Sequence, residues 1–119
     1  LNFMSPKNSI VYTGTHDNNT TLGWLKEDIS PQDKAVLAEL LEVKVDDNEA
    51  LLDELVKLAY ASASKMAILP MQDVLKLNSN ARMNLPGTVG TNWGWRMQKD
   101  TLRDEKAMYL CSLVEKYNR

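Results

Sequence analysis

The spacing of apolar and polar positions along the chain marks out two short strands and four helices. Ser9-Ile10-Val11-Tyr12 is a β-branched and aromatic run that stops at Thr13-Gly14-Thr15, so a strand is expected over 10–12 with a loop behind it. Thr20, Thr21, Leu22, Trp24 and Leu25 then read as a short helix over about 19–28, capped by an Asn or Thr and weakened by Gly23. Ser30-Pro31-Gln32-Asp33 is a helix start: Ser30 can accept from a free amide and Pro31 suits the first turn. Val36, Leu37, Leu40 and Leu41 continue it at helical spacing, predicting a helix over 31–43. Asp46-Asp47-Asn48 interrupts, and Leu51, Leu52, Leu55, Leu58 and Ala59 form the apolar stripe of a helix over 48–64.

Met66 to Leu69 is an unbroken apolar run closed by Pro70, the form of a short strand (66–69) buried on both faces. Gln72-Asp73 follows it at the position that His16-Asp17 occupies after the first strand. Residues 78–97 are dense in Asn, Gly and Trp without regular period, and a long loop of this kind in a compact unit usually carries function. Thr101-Leu102-Arg103-Asp104 resembles a capping box, and Ala107, Leu110, Leu113, Val114 and Tyr117 complete an amphipathic helix over 101–117. The resulting βαβα order argues for an α/β fold with a parallel sheet in one segment, 1–119, although two strands alone make a marginal sheet.

Composition narrows the function. The 119 residues are 44% hydrophobic and 25% charged, values of globular material. Fourteen basic against sixteen acidic residues give a net charge of -2 without a basic block, which argues against nucleic acid as a partner. No apolar run approaches the ~20 residues needed to cross a bilayer, and no signal-peptide layout opens the chain, so no membrane partner and a cytoplasmic location are expected. Cys111 stands alone in a helical apolar pattern and reads as a small buried thiol. The chain opens on Leu1 rather than on a methionine, which suggests a cut from something longer.

The candidate chemistry centres on His16-Asp17. A metal site is disfavoured, because a single histidine leaves no second imidazole to join it. A plain turn, with Asp17 capping the next helix, is the ordinary reading of such a pair. Against it, the pair lies beyond the end of a strand, where α/β proteins place ligand-contacting residues. Gly14 beside it permits close backbone approach, and Thr15 and Asn18 are hydrogen-bonding side chains suited to sugar hydroxyls. Trp93 and Trp95 beside Arg96 could stack on sugar rings, but closing a core beneath the loop is at least as good a reading, and Trp24 reads as core. Met4, Met66, Met71, Met83, Met97 and Met108 are scattered rather than striped, so core filling suffices for those in apolar context, and Glu49, Asp53 and Glu54 fall on solvated faces.

Two blocks together carry a resemblance. "VYTGTHDNNTTLGW" (11–24) followed by "ILPMQDVLKLNSNARMNLPGTVGTNWGWR" (68–96), with the closing "EKYNR", resembles the C-terminal end of the 4-α-glucanotransferases, also called amylomaltases or disproportionating enzymes. The resemblance implies the C-terminal fragment of a (β/α)8 TIM barrel of the α-amylase superfamily, with Ile10 to Tyr12 as its seventh strand and Met66 to Leu69 as its eighth, mainly α-helical by content when isolated. It implies transfer of α-1,4-glucan segments between maltooligosaccharides through a covalent glycosyl-enzyme intermediate, with no cofactor and no metal. Asp17 matches the family's third active-site carboxylate, the transition-state stabiliser. His16 matches the histidine that hydrogen-bonds the same sugar, and the resemblance implies a further sugar contact at Asn84 of "RMN". The family usually has an acidic residue where this chain has Asn19. No carboxylate here matches the family's nucleophile or general acid/base, so the isolated chain is expected to be inert and, with open strand edges, to self-associate. A stand-alone helical interaction module and a sugar-binding domain without chemistry remain as alternatives.

Overall fold

A computed structural model describes residues 7–119; Leu1 and Met4, both named above, lie outside the described residues. The strands β1 (Ile10–Tyr12) and β2 (Met66–Ile68) pair in parallel, with Ile10 opposite Met66, Val11 opposite Ala67 and Tyr12 opposite Ile68. Parallel pairing brings both C-terminal strand ends to one side, so the loop after Tyr12 and the segment after Ile68 emerge together. The expectation of a strand buried on both faces is corrected: Met66 is 51% exposed, and Ile10, Tyr12 and Ile68 are exposed as well. Each strand has a single partner, so one edge and much of the side-chain surface have no neighbour among the described residues. Leu69, expected to end β2, packs instead against the helical core.

The helix expected over 19–28 is two pieces. Thr20 Oγ1 accepts from Gly23 N–H at 3.0 Å and starts α1 (Thr21–Gly23), which passes into a π-helical turn, Trp24–Asp28. Gly23 has a different role from a mere helix weakener. It is buried, and a Cβ there would stand 2.6 Å from Asn19 Oδ1 and 2.9 Å from Thr20 Oγ1, so only glycine fits unshifted.

Ser30 Oγ accepts from Asp33 N–H at 3.1 Å at the start of α2 (Pro31–Leu41), as its sequence signals. The helix stops before residue 43 because Glu42 takes the left-handed conformation, φ 55°, and Val43 N–H reaches back to Ala38 C=O. Asp47 caps α3 (Asn48–Ala61) through Ala50 N–H at 3.0 Å, and Ser62 turns extended, so the helix ends three residues before the expected 64. The last helix, α5 (Asp104–Tyr117), begins later than the capping-box pattern indicates, because Thr101 Oγ1 donates to Gln98 C=O instead of capping. Asp104 and Glu105 favour the new start by standing at the positive end of the helix dipole.

Leu22, Leu25, Ala38, Leu51, Leu52, Val56 and Leu113 form the core, joining the 21–28 segment, α2, α3 and α5. Cys111 is exposed, against expectation. It lies two residues before buried Leu113 and hence about 200° around α5 from it. Asp53, read as solvated, accepts from Lys76 Nζ at 3.0 Å and from Tyr109 OH at 3.3 Å, tying α3 to α5.

Candidate active site

Beyond β1 the backbone is held by a short polar side chain. Thr15 N–H and Oγ1–H both donate to Asn18 Oδ1, at 2.7 and 3.0 Å, and Asn18 N–H returns to Thr15 C=O at 3.2 Å. This turn presents His16 and Asp17 outward, their side chains 56% and 49% exposed. Gly14 is not demanded by space: a Cβ there would make only ordinary contacts of 3.7 Å with Asn18.

Beyond β2 come a single helical turn, α4 (Met71–Val74), and a 3-10 turn, Ser79–Ala81, after which Arg82, Met83 and Asn84 run alongside the first loop. Asn84 N–H donates to His16 C=O at 3.1 Å, and the Asn84 Nδ2 amide donates to Asp17 Oδ1 at 2.7 Å. Arg82 spans both segments, with Nη2 donating to Asp17 C=O at 2.6 Å and Nε to Asn84 C=O at 2.9 Å. His16 Nε2 lies 3.3 Å from the same Asp17 Oδ1. The three residues singled out in the sequence, with Asp17 and Asn84 67 positions apart, therefore converge on one carboxylate oxygen. Asp17 Oδ2 accepts no hydrogen bond among the described residues, and remains open to a ligand.

Trp93 completes the group. Its backbone is left-handed, φ 63°, its N–H donates to Met83 C=O at 2.7 Å, and its indole sits 5.0 Å from the His16 ring at a tilt of 37°. The indole is not core filling: Trp93 is 54% exposed. Trp24, also read as core, is exposed too, and Arg96 spends its guanidinium on the Trp93 and Trp95 carbonyls. A cavity of about 660 Å³ opens between the strand exits, with His16, Asp17, Asn18, Arg82 and Trp93 in its wall. A second, of about 570 Å³, shares Tyr12, Asp17, Asn19 and Arg82 and is floored by Leu55, Leu58 and Ala59. Hydroxyl-accepting and hydroxyl-donating groups beside an exposed indole suit a ligand that is polar at its rim and apolar on its ring faces. Among the described residues no three His, Cys, Asp or Glu side chains gather as metal ligands, and no helix is long and apolar enough to cross a membrane.

A family model described as 4-alpha-glucanotransferase matches residues 2–102. The chain belongs to the 4-alpha-glucanotransferase family. It is 45% identical over 112 residues to a 4-alpha-glucanotransferase of Synechocystis, covering 94% of this chain and 22% of that protein. It is 40% identical over 116 residues to one of Streptococcus pneumoniae, covering 98% of this chain and 23% of that protein. An amylomaltase from Streptococcus agalactiae, solved in complex with acarbose, superposes with a TM-score of 0.87 at 35% identity, over 97% of this chain and 23% of that one. The chain thus spans less than a quarter of the length of these 4-alpha-glucanotransferases.

Sequence reasoning missed Arg82 as a clamp between the two segments. Its place two residues before Asn84, inside the matched block, was the available signal. The exposure of Trp93 had no local signal, since it depends on how the 83–93 segment folds back.

Proposed function

We propose that this chain is the part of a 4-α-glucanotransferase that holds the sugar at the cleavage point, and that its substrate is an α-1,4-glucan or maltooligosaccharide. The convergence of His16 and Asn84 on Asp17 Oδ1 beyond two parallel strand ends is the observation that carries this reading. Acarbose in the similar amylomaltase supports the substrate class. β1 and β2 are the seventh and eighth strands of a (β/α)8 barrel, and the exposure of Ile10, Tyr12, Met66 and Ile68 is what two strands without their barrel neighbours would have.

In the whole enzyme a carboxylate from another part of the chain attacks the anomeric carbon while a second carboxyl group, ~5–5.5 Å away, protonates the departing glycosidic oxygen. The second group then takes the proton from the 4-hydroxyl of the acceptor glucan as that oxygen displaces the enzyme. Asp17 stands by the sugar with Oδ2 free. Its negative charge opposes the positive charge that develops at the anomeric carbon, which stabilises the transition state more than the bound substrate. The Asn84 amide fixes the rotation of the carboxylate, and His16, its ring tilted beside the Trp93 indole, hydrogen-bonds the same sugar.

The isolated chain is inert in transfer and self-associates through its open strands. In the whole protein, Asp17→Asn lowers kcat for transfer from maltotriose by at least about 10²–10³-fold with unchanged melting temperature. A folded Asp17→Asn enzyme with wild-type turnover removes the assignment, and turnover by the 119 residues alone removes the division of labour.

A further inference from the structure

Asp73 on α4 is 3% exposed, and no Lys, Arg or His pairs with it among the described residues. Its carboxylate takes three hydrogen bonds instead. Thr21 N–H donates to Oδ1 at 2.9 Å, and the hydroxyls of Thr21 and Thr13 both donate to Oδ2 at 2.7 Å. A buried carboxylate is costly unless its oxygens are satisfied, and here the satisfying groups are not scattered. Thr13 is the first residue after β1 and Thr21 opens α1. Between them lie residues 14–20, the loop that carries His16 and Asp17, so one side chain after β2 pins both ends of that loop.

We propose that Asp73 is a positioning residue: it fixes the His16–Asp17 loop against the exit of β2, and so sets where the Asp17 carboxylate stands relative to Asn84 and the sugar. Its consequence for turnover rests on the function proposed above; its hold on the loop does not. Hydrogen-bond polarity makes the variants informative. An Asn at position 73 keeps an oxygen for Thr21 N–H and turns two N–H groups toward the two threonine oxygens, which can accept as well as donate. An Ala makes none of the three contacts.

The test compares Asp73→Ala, Asp73→Asn and the double variant Thr13→Val/Thr21→Val in the whole protein that carries this chain, with Asp17→Asn alongside. Transfer from maltotriose gives kcat and KM; amide hydrogen exchange is followed at residues 14–20 and, as the reference for the core, at Leu51 and Leu52. Asp73→Ala is expected to lower kcat about 100-fold while KM stays within about threefold, because a displacement of Asp17 by about 1 Å weakens contacts made in the transition state. Loop amides exchange at least about tenfold faster while Leu51 and Leu52 do not change. Asp73→Asn recovers most of the loss, and the double threonine variant reproduces the Ala effect should Asp73→Ala fail to fold. The proposal is overturned by an Asp73→Ala kcat within about threefold of wild type, by exchange that accelerates in loop and core alike, or by an Asp73→Asn enzyme as impaired as the Ala variant. If Asp17→Asn also leaves turnover intact, the proposed function fails, and exchange of the loop alone decides the role of Asp73.

Discussion

Removal of the Arg119 guanidinium tests how the end of α5 secures α3. Asn118 is left-handed, φ 55°, with its N–H directed at the carbonyls of Val114 and Glu115, and Arg119 N–H returns to Val114 C=O at 3.0 Å. That reversal turns the Arg119 side chain onto the last turn of α3, where helix geometry leaves carbonyls without partners. Nε donates to Tyr60 C=O at 2.7 Å, Nη1 to Ser64 C=O at 2.9 Å and Nη2 to Ser62 C=O at 2.7 Å, with the Ser62 hydroxyl at 3.1 Å. A cation at a helix C-terminus also meets the favourable end of the dipole. Each short charge-assisted bond contributes about 1.5 kcal/mol at the low end, suited to a partly buried site. Ordering the side chain costs up to about 2 kcal/mol, so the three short bonds net about 2–3 kcal/mol. For a domain whose whole stability is about 5–15 kcal/mol, that is a large fraction. Urea unfolding of Arg119→Ala followed by far-ultraviolet dichroism is expected to show this loss as a lower midpoint with unchanged slope. Arg119→Lys recovers less than half, because one ammonium cannot span carbonyls that a planar fork reaches. An Arg119→Ala change within about 0.5 kcal/mol of wild type would refute the clamp.

Three further outcomes are expected. Gly23→Ala, despite the better helix propensity of alanine, destabilises by about 1–3 kcal/mol in urea unfolding, because its Cβ would meet Asn19 Oδ1 at 2.6 Å. Asn19→Asp replaces the amide that donates to Asp28 Oδ2 at 2.9 Å with a second carboxylate. It should cost about 1 kcal/mol at neutral pH and less once acid protonates one of the pair, a pH dependence that urea titration at neutral and acidic pH would detect. Burial, with the Asp53 charge beside it, holds the Tyr109 hydroxyl protonated and pushes its pKa from 10.0 up to about 12. The folded state therefore keeps a proton that the unfolded chain releases, so this stabilisation is full below pH 10.0 and is lost as pH rises toward about 12. Tyr109→Phe should flatten the fall in stability over that window, measured by urea midpoints at successive pH values.

What was legible in the sequence was local. Ser30 caps the helix it precedes because a side-chain oxygen needs only an amide three residues on, α3 starts at Asn48 where the Asp46-Asp47-Asn48 interruption places it, and the strand at Ile10–Tyr12 coincides with the β-branched run that signals it. What was not legible depends on distant partners. The exposure of Met66 and Ile68 depends on which chain lies against the sheet, and an apolar run reads the same whether or not that neighbour is present. Helix ends were misplaced where the backbone turns without glycine, as at left-handed Glu42. Asp17 and Asn84 each entered as site residues through the family resemblance, but their hydrogen bond was not legible, because periodicity offers no route between residues 67 apart. Exposed Cys111 was missed because its helix buries one narrow face, centred on Leu113, and the thiol falls on the other side.

The placement of the site owes more to side chains than to the sheet. A two-stranded parallel pair is marginal in isolation, and three residue pairs in register could not by themselves hold a loop of polar residues in one position. The Asp73 carboxylate grips Thr21, and Thr21 leads directly into Leu22 and Leu25 of the core. Arg82 and Asn84 then bind the second segment to the first through the backbone of His16 and Asp17. Order thus passes from the packed helices through a buried polar link to an exposed carboxylate.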